Sequence, residues 1–119
     1  MNDPLVTEAL RFISEHGHER IKVEDVARGV NVSRRTLERR FAEQGRCTVA
    51  RELLNFRLER FKRLLAQTDE PVKILAHEIG FKDANQLSAT FRRTEGLSPI
   101  AYRRRYRERS EMAPVYHLE

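Results

Sequence analysis

Hydrophobic residues recur along this chain at intervals of three and four positions, the spacing of one buried face of an α-helix. No stretch alternates apolar and polar residues in the manner of a half-buried strand. Glycine, proline and capping residues separate the periodic segments. The pattern predicts an all-α fold of about seven helices, at residues 4–16, 23–30, 33–44, 48–67, 71–79, 83–94 and 98–107, with a disordered tail at 110–119.

The segment SRRTLERRF, residues 33–41, places two kinds of residue on two faces of a predicted helix. Leu37 and Phe41 lie one turn apart on one face, whereas Arg35 and Arg39 fall on the opposite side. Ser33 stands where a helix N-cap belongs, because its hydroxyl can accept from a backbone N–H of the first turn. Such a helix is either an ordinary solvated surface or a surface that meets a negatively charged partner.

Charge is distributed unevenly along the 119 residues, a length that suits one ordinary domain or two very small ones. Lys and Arg number 23 against 18 Asp and Glu, which gives a formal net charge of +5. The region 91–109 is rich in arginine, whereas the first twenty-five residues are rich in acids. This asymmetry favours a polyanionic partner, and ordinary solubility is the alternative.

Residues with catalytic or metal-binding potential are few. A single cysteine, Cys47, cannot form an internal disulfide, which favours a reducing compartment. The four histidines and Cys47 lack zinc-type spacing, and the EHGHE segment at 15–19 is predicted to be an exposed turn. No nucleophile set, phosphate loop or apolar membrane-length run is present. We therefore expect no enzyme activity, no cofactor, no metal site and no membrane span.

The chain repeats itself at an offset of about fifty residues. The matched residues are Ala27, Val30, Asn31 and Val32 with Ala76, Ile79, Gly80 and Phe81; Leu37 and Phe41 with Leu87 and Phe91; and Gly45, Thr48 and Ala50 with Gly96, Pro99 and Ala101. Each copy predicts two helices joined by a tight turn, with positive φ at Asn31 and Gly80. A helix-turn-helix at about 23–44 and another at about 71–94 fit these observations better than a plain repeat scaffold.

The second copy, AHEIGFKDANQLSATFRRTEGLSPIAYRRRYR, resembles the signature of the AraC/XylS family of bacterial transcription regulators. The matching positions are Ala76, Gly80-Phe81, Phe91, Gly96, Ser98-Pro99 and Tyr102-Arg103. VNVSRRTLERRF and the linker segment FRLERFKRLLAQTDEPV also follow the family, so the resemblance covers about residues 5–107. Three positions depart from the usual pattern: Asn31 replaces a turn glycine, Phe61 an alanine, and Ala89 a polar residue that often contacts a base.

The resemblance implies an AraC-type DNA-binding domain over residues 1–109 of a cytoplasmic, nucleoid-associated bacterial regulator that also contacts RNA polymerase. Family members usually carry an effector-sensing and dimerisation domain as well, for which this chain has no room. We expect an excised C-terminal domain, and a small stand-alone regulator is the alternative. The look of the first motif suggests a pentose-responsive member such as the xylose type.

Two exposed helix faces hold the candidates for contacts with DNA bases. Arginine can donate two hydrogen bonds to guanine, asparagine and glutamine suit adenine, and alanine can touch only a thymine methyl group. The candidates are Arg35, Glu38 and Arg39 on the first helix and Asn85, Gln86, Ser88, Ala89 and Arg92 on the second. Glu38 could accept from a cytosine amino group or hold the neighbouring arginines in place. We expect the less charged second face to bind bases more weakly.

Neighbouring residues are candidates for contacts with DNA phosphates, which position a protein without specifying sequence. They are Ser33, Arg34, Thr36 and Arg40 in the first unit and Lys82, Thr90 and Arg93 in the second. For Arg40, Lys82 and Arg93 an ordinary solvated charge is the alternative.

The long helix at 48–67 would separate the two units by about 30 Å. That length is close to one turn of B-DNA, so double-stranded DNA could present two successive major-groove segments to one chain. A rigid linker would either bend the DNA or leave the second helix partly inserted.

The competing function is a helical module that binds acidic proteins through its arginine-rich faces. An alkyl-acceptor role for Cys47 is a distant third.

Overall fold

The computed structural model describes the backbone of residues 2–112 and the side chains through residue 108. Seven helices and no strand occur in this part of the chain, which confirms the predicted fold class. Their bounds are Pro4–His16 (α1), Val23–Gly29 (α2), Arg34–Glu43 (α3), Val49–Gln67 (α4), Val72–Glu78 (α5), Ala84–Glu95 (α6) and Pro99–Met112 (α7).

Short polar side chains decide where several of these helices begin. Ser33 Oγ accepts from the Thr36 N–H at 3.1 Å, which confirms the predicted N-cap of α3. Thr48 caps α4 in the same way through the Arg51 N–H. The N-cap of α6 is Asp83, whose side chain accepts from the Asn85 N–H at 2.8 Å.

The last helix is longer than predicted, because it continues to Met112 instead of ending near residue 107. The chain contains neither glycine nor proline between Pro99 and Pro114, so no backbone signal ends the helix earlier. Residues 110–112 of the predicted tail are therefore helical. The rest of that tail, 113–119, lies outside the described residues.

Two hydrophobic cores form, and α4 contributes to both. Val49 and Leu53 from the first half of α4 pack with residues of α1, α2 and α3. Leu58, Phe61 and Leu65 from its second half pack with residues of α5 and α6. The first unit is thus α1 to α4 and the second is α4 to α7, with one helix shared.

The second core accounts for the unusual phenylalanine in the linker helix. Phe61 is fully buried and meets Phe91 edge-on, with 5.3 Å between ring centroids. Phe91 meets Tyr102 in the same way at 5.4 Å. Edge-to-face contacts of this kind add stabilisation beyond the buried area. Phe61 therefore joins α4 to α6, with Phe91 carrying the contact on to α7.

The turns of the two units have matching backbone conformations, with φ of 62° at Asn31 and 93° at Gly80, as predicted. The sequence repeat pairs Thr48, before α4, with Pro99, and the structure corrects this pairing. Thr48 corresponds to Ser98, because each hydroxyl oxygen accepts from the backbone amide three residues further along the chain. The loop that precedes α4, residues 44–48, is therefore two residues longer than the loop that precedes α7, residues 96–98.

Candidate nucleic-acid interface

The exposed face of α3 presents Arg35 and Arg39, because Leu37 and Phe41 on the opposite face are fully buried. Arg35 has no hydrogen-bond or ion-pair partner among the described side chains. Arg39 Nε lies 3.9 Å from Glu43 Oε2, and these side chains are 62% and 60% exposed. Such an exposed pair is weak, so both guanidinium groups are available to a partner.

The two flanking arginines of α3 are held by carboxylates from other helices. Arg40 donates to both carboxylate oxygens of Asp3, at 2.5 and 2.7 Å, and Arg34 donates to Glu24 at 2.6 Å. The hydrogen bond from Arg40 holds the pKa of the Asp3 carboxyl below its usual value. Both arginines were predicted to contact phosphates, and a phosphate would have to compete with these carboxylates for them.

The remaining phosphate candidates of the first unit lie at the start of α3. Ser33 Oγ donates to Thr36 Oγ1 at 3.0 Å while it accepts from the Thr36 backbone. Their hydroxyls are therefore engaged in the cap. The amides of this first helical turn face the same end of the helix, where an anion is favoured.

Glu38 has a partner that the sequence did not predict. Its Oε1 accepts from the Val49 N–H at 3.2 Å, in a half-buried position between α3 and α4. Val49 is the first residue of α4, and its amide has no partner within that helix. The second unit has no such requirement, because α7 begins with Pro99, which lacks an N–H, and Ser88 stands in place of Glu38.

The exposed face of α6 is chemically milder than that of α3. Asn85, Gln86, Ala89 and Arg92 are exposed, and Ser88 is half-buried. Residues 84–91 carry no charged side chain, whereas the equivalent 34–41 carry four arginines and one glutamate. The candidates for base contact in the second unit thus lie together on one face of α6. Arg92, near the end of the helix, is the one charged residue among these candidates.

Two further cations of the second unit, Lys73 and Lys82, lie on α5 and in the turn that precedes α6. An open cleft of about 770 Å³ separates α5 from the start of α6, and its lining includes Lys73, His77, Lys82 and Asn85. Lys73 and His77 were missed in the sequence analysis. The offset of 49 pairs Lys73 with the acidic Glu24, and that reversal of charge was the available signal.

The other two phosphate candidates of the second unit lie further along α6. Arg93 is exposed and Thr90 is half-buried, and Arg93 Nη2 donates to Thr90 Oγ1 at 3.4 Å. This long contact between neighbouring turns leaves the Arg93 guanidinium accessible.

Within the described part of the chain, no group of three or more His, Cys, Asp or Glu residues could hold a metal ion. No helix there is long and apolar enough to cross a membrane.

Comparison with known proteins decides the family of this two-unit arrangement. A family model described as a helix-turn-helix domain matches residues 26–105. The DNA-binding domain of AdpA, solved in complex with a target DNA, superposes with a TM-score of 0.82 at 38% identity and covers 91% of this chain and 96% of that one. This chain belongs to the AraC family of transcription regulators. The resemblance seen in the sequence is confirmed.

Other AraC-family proteins support the same assignment. The C-terminal domain of AraT, a response regulator from Geobacillus stearothermophilus, has a TM-score of 0.80 at 31% identity, covering 86% of this chain and 85% of that one. The transcriptional activator RhaS of Enterobacter sp. (strain 638) is 35% identical over 98 residues, or 82% of this chain and 35% of that protein. The AraC-type chain thus spans about a third of the length of the curated relatives it matches. These relatives are transcription regulators and not enzymes.

Proposed function

We propose that this AraC-type domain binds double-stranded DNA sequence-specifically, with α3 and α6 in successive major-groove segments. The observation that carries the proposal is the exposed pair Arg35 and Arg39 on the second helix of a helix-turn-helix. A recognition helix inserted in the major groove can bring both guanidinium groups to guanine edges. The similarity to the AdpA domain, which was solved with a target DNA, supports the binding of double-stranded DNA.

The two units divide the work unequally in this proposal. Arg35 and Arg39 make the stronger base contacts, whereas Asn85 and Gln86 add weaker contacts to adenine edges. Lys73, Lys82 and Arg93 bind phosphates and position α6 in the groove. Most of the sequence information is therefore carried by the half-site under α3.

The wider biological role follows from the family. We propose that the domain serves a bacterial regulator that acts on chromosomal DNA in the cytoplasm and contacts RNA polymerase. Effector binding and dimerisation then belong to the part of the longer relatives that this chain does not match. The pentose-type effector remains a prediction.

Selection of bound sequences from a random duplex pool tests the proposal. We expect an enriched site with two half-sites about one helical turn apart, and an affinity for it that falls steeply with salt. A module that binds acidic proteins would bind all duplexes alike and enrich nothing. In that event an acidic peptide would compete as well as the selected duplex, and the competing function would replace this one.

A further inference from the structure

A half-buried arginine, Arg57, lies where α4 passes from one core to the other. Leu53 is the last residue of α4 in the buried part of the first core, and Leu58 is the first in that of the second. Arg57 lies between them and is half-buried. The two cores share no buried residue, so a contact outside them can add to the hold that α4 has on the angle between the units.

Arg57 holds the loop between α1 and α2. Its guanidinium donates to three backbone carbonyls, of Gly17 at 2.7 Å, Glu19 at 2.8 Å and Ile21 at 3.0 Å. Burial lowers the pKa of Arg57, yet a guanidinium stays charged in proteins, so all three bonds are charge-assisted. A loop bound at three carbonyls along five residues is held in one shape.

That loop also touches the second unit. A Cβ at Gly80 would lie 2.6 Å from the Glu19 carbonyl oxygen and 3.1 Å from Arg57 Nε. Beside this contact, Arg20 Nη2 donates to His77 Nδ1 at 2.9 Å. The EHGHE segment, predicted to be an exposed turn, therefore lies between α4 and the turn of the second unit.

The two turn residues show that Gly80 does more than supply a positive φ. Asn31 also has a positive φ at the equivalent place, 62° against 93° at Gly80, and it is exposed to solvent. Asparagine tolerates this conformation, so φ alone does not require glycine at position 80. The additional requirement at Gly80 is space, because the Glu19 carbonyl occupies the place of its side chain.

We propose that this docking contact, formed by the 17–21 loop, Arg57 and Gly80, fixes the distance and angle between α3 and α6. The chain then accepts two half-sites at one spacing only. The statement about spacing rests on the proposed function, whereas the statement about docking does not. Arg57 and Gly80 act as positioning residues, since neither lies on the exposed faces of α3 and α6.

A distance measurement without DNA tests the docking directly. Spin labels at Glu8→Cys in α1 and Arg104→Cys in α7, both exposed, report on the first and second units in a Cys47→Ser background. We expect a narrow distance distribution in the parent and a broadened one after Gly80→Asn, because a side chain at position 80 clashes with the Glu19 carbonyl. Asn31→Gly is the matched control and should leave the distribution narrow. An unchanged distribution in Gly80→Asn would overturn the docking.

Arg57→Met provides a second route in case Gly80→Asn prevents the second unit from folding. Methionine keeps the apolar stem in place and removes the three donated bonds. Helix content by circular dichroism should be retained while the label distribution broadens. A folded Arg57→Met protein with the narrow parental distribution would contradict the proposal.

Half-site spacing tests the consequence for DNA. Insertion of one base pair between the selected half-sites should weaken the parent about tenfold or more, and weaken Gly80→Asn or Arg57→Met far less. Binding to the α3 half-site alone should be equal in all of them. If the labels broaden but the spacing penalty is unchanged, the spacing proposal fails. If no duplex is preferred at all, the proposed function fails while the docking result stands.

Discussion

In the first helix-turn-helix unit the exposed face of α3 carries Arg35 and Arg39, and the same positions of α6 carry Asn85 and Ala89. The preceding helices, α2 and α5, differ in the opposite sense. At one equivalent position α2 carries the acidic Glu24 and α5 carries the basic Lys73. The buried anchors of the two units are nevertheless the same residue types at an offset of fifty. The two units thus share the positions of their buried anchors, but only α3 carries arginines in its first two turns.

This difference has a physical reason within each unit. Glu24 and Asp3 hold the flanking arginines of α3, so acidic residues around that helix are useful. Since α6 has no arginine in its first two turns, acids around it would have nothing to neutralise. In the proposed complex Lys73 of α5 can then approach the DNA backbone. We expect base specificity to concentrate in the first unit and salt dependence in the second.

The largest expected effect tests the shared geometry. Leu37 and Leu87 are both fully buried, so changing either to alanine should lower the free energy of unfolding by about 2–5 kcal/mol. Thermal or denaturant unfolding of the two variants measures this. A Leu37→Ala protein that unfolds like the parent would show that the proposed equivalence of α3 and α6 is wrong.

The next effect tests the difference in base contact. Arg39→Ala should cost roughly 1–3 kcal/mol on the selected site and relax specificity at one base pair. Arg93→Ala, which removes a proposed phosphate contact, should weaken all duplexes similarly and flatten the dependence of affinity on salt. Titrations on the selected site and its single-base variants, at several salt concentrations, separate the two. An equal proportional loss on every variant would reduce Arg39 to general electrostatics.

Glu38 offers a smaller effect that is confined to the first unit. Glu38→Ala should cost about 1 kcal/mol of stability because the Val49 amide loses its acceptor, whereas Glu38→Gln retains one. The extended conformation of Thr48 permits proline at position 49. In a Val49→Pro background the Glu38→Ala cost should vanish. If Glu38 instead contacts a base, Glu38→Gln should alter the sequence specificity. The stability cost of Glu38→Ala should then be the same with or without Val49→Pro.

The smallest effect concerns Asp3, which has no counterpart in the second unit. Asp3→Asn keeps an N-cap for α1 but weakens the hold on Arg40, so affinity for all duplexes should rise slightly and depend more steeply on salt. The lowered pKa of Asp3 stabilises the fold above its unfolded value near 4, and that stabilisation is lost as pH falls through the folded value. The stability difference between parent and variant should therefore disappear in acid. A difference that persists there would contradict the ion pair.

Local signals were predictable from the sequence, and contacts between distant segments were not. The cap at Ser33, the φ of Asn31 and the burial of Leu37 are each marked by residue types within about one helical turn. The carbonyls bound by Arg57 lie about forty residues away, and every residue offers a carbonyl, so no residue type marks them. The sequence likewise does not mark the partner of Glu38, because that partner is the backbone amide of Val49.

One helix belongs to both units, and this has a consequence for how the chain unfolds. If the first core opens, the first half of α4 loses its apolar partners, and the same holds for its second half and the second core. An isolated helix of that length is marginal in water, so partial opening gains little. The molecule resembles a repeat protein with two repeats, in which the shared helix α4 couples the stability of one unit to that of the other. Melting should be a single transition, and a substitution in one half should lower the melting temperature reported by probes in the other.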